Sequence, residues 1–435
     1  MKLHFCIATG LAVLAVHLIA HSAHAQSLLY KLRSPNEYQF GSFGVSVSGV
    51  PDVDGDGRGD VVVGAYGEAR FYGRAHVFSG ATGELIYSVR GRVANIELGK
   101  TVAGTPDLDG DGRGDLLLSE DFQRGRSAVE VVSGATGRSL YTLFSPTMGY
   151  NFFGGTLAGA GDLDGDGASE ILIGAQLEDF SQATEVGRVY VVSGASGTSL
   201  FALSSPNRMQ GGHFGSGLAA VPDTDGDGIN DILVGASGET FNKTGAGRAY
   251  LFSGATGDLL LELGSPAPKR AGSFGEDVAG LADVDGDGRG DLAVGAPQED
   301  NLAQPNAGSV YIFSGATGAL LQTLHSPNAQ AQGLFGNNVS RLHDVDADGA
   351  DDLVVSAPFE FAQAGRAYVF SGGTGELLYA LVSPHEESSG FFGSAVSGVD
   401  DADGDGRGDL IIGADYEGGD GTPGRAYVFS GGSDL

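Results

Sequence analysis

Seven short acidic runs recur along the 435 residues, and each places carboxylates at positions one, three, five and nine. The first three loops carry Asp52, Asp54, Asp56 and Asp60, then Asp107, Asp109, Asp111 and Asp115, then Asp162, Asp164, Asp166 and Glu170. The next two carry Asp223, Asp225, Asp227 and Asp231, then Asp283, Asp285, Asp287 and Asp291. The last two carry Asp344, Asp346, Asp348 and Asp352, then Asp401, Asp403, Asp405 and Asp409. Four ionised carboxylates inside nine residues repel by up to ~4 kcal/mol per pair at about 4 Å and an effective dielectric near 20, so they call for a cation or raised pKa values. A divalent ion removes the conflict. Calcium takes about six to eight oxygens at roughly 2.3 to 2.6 Å in flexible geometry, which suits three short Asp arms, a backbone carbonyl at position seven and a bidentate acid at nine. Magnesium, with its stricter octahedron, fits less well. Up to seven bound calcium ions are expected.

Position six is Gly in all seven loops, where the chain folds back through a left-handed conformation. Position four is Gly in six loops and Ala347 in the other, and the third loop ends on the longer arm of Glu170. An EF-hand shares the acids at one, three and five and the Gly at six, but it needs a bidentate Glu at twelve. Here position twelve is Val63, Leu118, Ile173, Val234, Val294, Val355 or Ile412, inside short β-branched runs that read as strands. Four loops also spell an adhesive tripeptide, Arg58-Gly59-Asp60 and its counterparts ending in Asp115, Asp291 and Asp409. Each Asp is already the ninth-position ligand, so these triplets are read as loop chemistry and not as receptor signals.

The loops begin 55, 55, 61, 60, 61 and 57 residues apart, a period that marks a repeat architecture. Each unit shows four short β-type segments, here named A to D. In the third unit they are expected at residues 156–160, 170–175, 188–193 and 200–203. The acidic loop joins A to B, and a Gly-rich hairpin such as Ser193 to Gly197 joins C to D. Four antiparallel strands per repeat make a propeller blade. The D segment also occurs before the first loop, at Leu28 to Leu32, whereas the chain stops after its seventh C segment, Arg425 to Ser430. The N-terminal strand is therefore expected to complete the last blade. The fold class is all-β: a seven-bladed β-propeller closed by its two ends, in preference to an open solenoid that would need capping units. In such a blade the A-B and C-D turns share one face of the ring, and the longer B-C and D-A connections share the other. Those varied connections are where recognition is expected.

Residues 1–25 read as a secretory signal, with Lys2 ahead of an apolar stretch from Ile7 to Ala20 and Ala23-His24-Ala25 as the cleavage site. The propeller would then occupy 26–435, without a thiol because Cys6 lies in the leader, and without a membrane span or an anchor after Leu435. Net charge is −31, and the loops hold 28 of the 55 acids; seven divalent ions, adding 14 positive charges, would leave −17. The residual acidity excludes nucleic acid and anionic membrane as expected partners. No Gly-x-Ser-x-Gly elbow or His-Glu-x-x-His pair is present. Gly99-Lys100-Thr101 is a near miss for a phosphate loop, with Ala94 where the first Gly belongs. His76, His213, His325, His343 and His385 are scattered, and the acidic pairs Glu178-Asp179, Glu299-Asp300 and Glu386-Glu387 are expected on the varied face.

Phe-Gly precedes the A segment at Phe43, Phe153, Phe214, Phe274, Phe335 and Phe392, and Gly-Ala-Pro follows the B segment at Gly295-Ala296-Pro297, with relaxed forms in five other repeats. These residues resemble the FG-GAP repeats of integrin alpha-subunit propellers. The second repeat departs, with Leu98-Gly99 and Ser119-Glu120-Asp121, which leaves its local packing open. The resemblance implies calcium on the face opposite the ligand site, and the whole chain is similar to free-standing secreted bacterial forms. Leg domains and a cytoplasmic tail are not expected, so a full integrin role is not expected either. The expected function is a secreted, calcium-binding extracellular module, a monomeric propeller that binds a protein or glycan on the face opposite the cations. The alternative is a secreted hydrolase or lyase acting on polysaccharide or phospholipid, since a similar propeller accompanies a secreted phospholipase.

Overall fold

In the computed structural model, residues 27–123, 125–301, 303–418 and 423–432 are described, and the leader expected at 1–25 lies outside them. The described residues form seven sheets of four antiparallel strands with simple up-and-down order, a seven-bladed β-propeller with almost no helix. In the third blade the strands run Phe153–Gly159, Ile171–Ala175, Arg188–Val192 and Ser199–Leu203. Strand A starts earlier than expected because the register shifts between Phe153 and Thr156, which lets the Phe-Gly corner pair with strand B. That shift is a β-bulge, which bends the strand without ending it.

The ring closes as its offset ends require. Leu28–Leu32 pairs with Arg425–Phe429 as the outer strand of the seventh blade, with Leu28 opposite Phe429 and Leu32 opposite Ala426. Strands A of successive blades meet all the way round, including Val47–Val50 against Val396–Val399. The core therefore lies between blades. Strand B is buried on both faces, as in Asp60–Ala65 and Asp231–Ala236, which is why it reads as a continuous apolar run. The Phe of each Phe-Gly corner wedges into this interface: Phe214 is fully buried and meets Phe252 edge to face at 5.9 Å, and Phe43, Phe274, Phe335 and Phe392 repeat the contact. Such pairs add about 0.5 to 1.5 kcal/mol beyond their area.

The second repeat builds a complete blade in spite of its altered signature, from Val102–Thr105, Asp115–Gln123, Arg126–Val132 and Ser139–Phe144. Leu98, fully buried, fills the space of the missing Phe, and Ile96 packs into the same core.

Candidate metal centres and the opposite loop face

Each acidic loop is a staircase of carboxylates capping the backbone ahead of them. In the first loop, Gly55 and Gly57 donate to the two oxygens of Asp52, Asp56 donates to Asp54 at 3.1 Å, and Arg58 donates to Asp56 at 2.8 Å. Gly57 holds φ +85°, as position six demands, and position four is also left-handed, with Gly55 at +94°. Ala347 occupies that position at +65°, a conformation that costs a side chain roughly 1 kcal/mol.

One oxygen each from positions one, three and nine lies within 4.8 Å of the others in the first, second and third loops, counting Glu170 as position nine. In the fourth and fifth loops the corresponding groups are Asp223, Asp225 and Asp227, and Asp283, Asp285 and Asp287. Asp56, Asp111 and Asp166 fall outside the first three groups, and Asp231 and Asp291 outside the next two. The donor set, all hard carboxylate oxygens at this separation, fits a divalent cation of the calcium type. Glu170 adds a second sign of fit, since its Oε1 is buried with no hydrogen-bond partner in the protein.

Position nine has a structural role of its own. All seven acids there are fully buried. Asp60 accepts from the Val53 amide at 2.8 Å and from the Gly80 amide of the C-D hairpin at 2.9 Å. Asp115, Asp231, Asp291, Asp352 and Asp409 repeat the hairpin bond at 2.8 to 3.2 Å. The acidic loops and the Gly hairpins therefore share one face, locked together by this carboxylate. Burial, opposed by those backbone bonds, pushes Asp60, Asp115 and Asp291 up to about 6, and Asp352 and Asp409 up to about 7.

The adhesive-looking triplets are consumed by the fold. Arg113 Nη1 reaches Oδ2 of Asp52 in the preceding blade at 2.8 Å, Arg289 reaches Asp223 at 3.2 Å, and Arg58 reaches Asp401 across the ring seam at 3.4 Å. The Gly following each Arg donates to the backbone carbonyl of that same Asp at 3.3 to 3.4 Å. A side chain on Gly290 would meet the Pro222 carbonyl at 2.3 Å. The Asp ending each triplet is the fully buried ninth-position acid just described.

On the opposite face, the sequence reading missed a buried network. A Glu three residues after the Ala ending strand B recurs as Glu68, Glu178, Glu239, Glu299, Glu360 and Glu417, all nearly or fully buried. Strand C supplies its partner: Tyr190 donates to Glu178 at 2.8 Å, Tyr250 to Glu239 at 2.5 Å and Tyr311 to Glu299 at 2.5 Å. The Ser of the Ser-Pro step closes several of these, as Ser326 does on Glu360 at 2.5 Å. Glu178 and Glu299, expected among the face acids, are thus structural anchors beneath the connections, while Asp179 and Asp300 are exposed. The repeated Glu spacing was visible in the sequence, but its burial was not. His76 takes the Tyr position in the first blade and bonds Glu68 and Ser88. In the second blade Glu130 takes it, bonded by Arg92 at 2.5 Å, and burial together with Glu130 raises Glu120 to about 7.

The ring, its Phe-Gly corners and its acidic A-B loops together define a class, the FG-GAP propellers. A family model described as the FG-GAP repeat matches residues 43–78, 153–192, 214–252, 274–313, 335–370 and 392–429, and the chain belongs to that family. The second repeat, whose Phe is Leu98, lies outside those matches. The chain is 30% identical to integrin alpha-4 of Xenopus laevis over 223 residues, 49% of this chain and 20% of that protein. It is 31% identical to integrin alpha-PS5 of Drosophila melanogaster over 207 residues, and 32% identical to integrin alpha-5 of Xenopus laevis over 220 residues. The matched stretch spans 19 to 20% of the length of these curated relatives. Among solved structures, a chain of the crystal structure of BBS1N in complex with ARL6DN, soaked with lead, aligns over 90% of this chain and 92% of its own, at TM-score 0.51 and 13% identity. That likeness is one of fold. Among the described residues no helix is long and apolar enough to cross a membrane.

Proposed function

We propose that the protein is a secreted FG-GAP propeller, loaded with up to seven calcium ions, that binds an extracellular protein or glycan through the loop face opposite the cations. In this reading calcium bound among the loop carboxylates supplies charge neutralisation and holds each A-B loop against its hairpin. Recognition belongs to the B-C and D-A connections.

The observation that carries this reading is the distribution of exposed apolar side chains. Among the described residues, apart from five on outer strands, the large exposed ones sit on B-C and D-A connections, among them Tyr38, Phe40, Phe71, Tyr150, Phe361 and Tyr416. They gather over the sixth, seventh, first and second blades. Phe391 links Phe359 and Tyr416 edge to face at 5.2 and 5.4 Å, which makes a continuous aromatic surface across two blades. Exposed aromatics on a rigid scaffold mark a binding site. Left-handed non-glycine turns at Ala69–Phe71 and Phe361–Gln363 present two of these rings, and such backbone clusters at recognition sites.

The test is a glycan and protein array probed in calcium with the full chain and with a Phe40→Ala, Phe361→Ala, Tyr416→Ala variant. We expect captured ligands to be lost by the variant while its melting temperature is unchanged. Binding retained by the variant, or turnover of polysaccharide or phospholipid, would overturn the reading.

The buried ninth-position acids also set a pH dependence. Their folded pKa values lie above the unfolded carboxylate value, so their contribution to stability is complete below about pH 4 and is lost as pH rises to about 6 to 7. Calcium opposes that loss by binding the ionised form. The gain in melting temperature on adding calcium is expected to be larger at pH 8 than at pH 5.5, with the loops ending in Asp352 and Asp409 losing affinity first on acidification. Equal gains at both pH values would contradict this.

A further inference from the structure

Position seven of the acidic loop divides the seven loops into two kinds. It is Arg58, Arg113, Arg289 or Arg407 in the first, second, fifth and seventh loops, and Ala168, Ile229 or Ala350 in the third, fourth and sixth. Every one of the four arginines reaches backward onto the loop of the preceding blade. Three pair with the first-position carboxylate, on Asp52, Asp223 and Asp401, and Arg407 donates instead to the Val345 carbonyl of the sixth loop. The guanidinium also lies over the neighbour's position-four Gly, filling the space a side chain would need at Gly55, Gly226 and Gly404. Among the described residues no guanidinium pairs with Asp107, Asp162 or Asp283.

We propose that Arg58, Arg113 and Arg289 are interblade counter-ions that tune the cation sites in trans, so that the first, fourth and seventh loops bind calcium more weakly than the second, third and fifth. The inference rests on the reading of the loops as calcium sites. Its physical basis is competition for one carboxylate. Oδ2 of Asp223 already accepts the Gly228 amide at 3.0 Å, and Arg289 takes a further share of its charge. A cation entering that loop meets one ligand partly neutralised and a fixed positive charge beside it. Without calcium the same guanidinium relieves repulsion among the four acids and ties two blades together. The arginine thus stabilises the calcium-free ring and opposes loading of its neighbour, while its own loop is untouched. Three consecutive junctions, from the sixth blade through the seventh and first to the second, are bridged by an arginine, two onto a carboxylate and one onto the Val345 carbonyl, and they span the seam closed by Leu28–Leu32.

The experiment is a calcium chloride titration of the full chain, followed through the backbone amides of Gly228 in the fourth loop and Gly288 in the fifth by NMR, for the wild type, Arg289→Gln and Arg289→Lys. The pairs are about one-third exposed, so the expected effect is modest, about two- to fivefold. Arg289→Gln should tighten the fourth loop by that factor and leave the fifth unchanged, and Arg289→Lys should restore most of the wild-type value. The installed contact Ala168→Arg should weaken the second loop, read at Gly112, by a similar factor. Arg289→Gln should also lower the melting temperature in chelator but not in saturating calcium. A purely structural ion pair would lower the melt in both conditions and leave Gly228 unmoved, and that result overturns the proposal. If calcium moves every loop but no substitution acts in trans, the proposal fails alone; if calcium moves no loop, the calcium reading fails with it.

Discussion

Adding a chelator to the calcium-loaded protein is expected to lower its melting temperature by on the order of 4 to 12 °C. At about 1 mM free calcium and a dissociation constant of ~10⁻⁴ to 10⁻³ M per loop, linkage contributes roughly 0.4 to 1.4 kcal/mol each. Seven loops then contribute roughly 3 to 10 kcal/mol, as much as the whole stability of many domains. With an unfolding entropy near 2.1 cal/mol/K per residue over roughly 400 residues, 1 kcal/mol corresponds to about 1.2 °C. The seven fully buried ninth-position acids are the reason the effect is large. Each holds a hairpin or a loop in place while carrying a charge that burial penalises. Calorimetry with and without chelator at pH 8 is the measurement, and an unchanged melt would show that the loops do not rely on a cation.

Deleting residues 27–32 is expected to cost on the order of 5 kcal/mol or more and to increase self-association. The strand Leu28–Leu32 supplies the fourth strand of the seventh blade and buries Leu32 in the core that also holds Val61, Val63 and Val428. Without it, Arg425–Phe429 becomes an open edge, and an unpaired edge recruits strands from other chains. Leu32→Ala alone should cost about 2 to 5 kcal/mol. Sedimentation over a concentration series and a thermal melt make the test, and a peptide spanning 27–33 should restore both. A truncated protein that sediments and melts like the full chain would show that closure is dispensable.

Much of this architecture is legible in the sequence alone. The acids at one, three, five and nine, the Gly at six and the β-branched run after them are complete within twelve residues, and no distant residue is needed to recognise them. The offset of the D segment at Leu28 predicted closure, because a strand missing at one end and spare at the other has one simple resolution. Boundaries were less legible. Strand A of the third blade begins at Phe153, three residues early, through a register shift that a propensity pattern does not encode. The second repeat left its packing open, and the volume of Leu98 in a preformed slot settled it.

The amino-acid order by itself determined the repeat, the number of blades, the way the ring shuts and which carboxylates form each loop, since all of these follow from periodicity and local spacing. Only the tertiary structure decided what each polar side chain faces. Linear spacing puts Glu178 and Glu299 on the varied face, and only strand C, which brings Tyr190 and Tyr311 onto them, makes them buried anchors. Arg58 gained its partner Asp401 from 343 residues away. Such pairings depend on how neighbouring blades dock, and docking is set by burial across an interface that linear spacing does not describe.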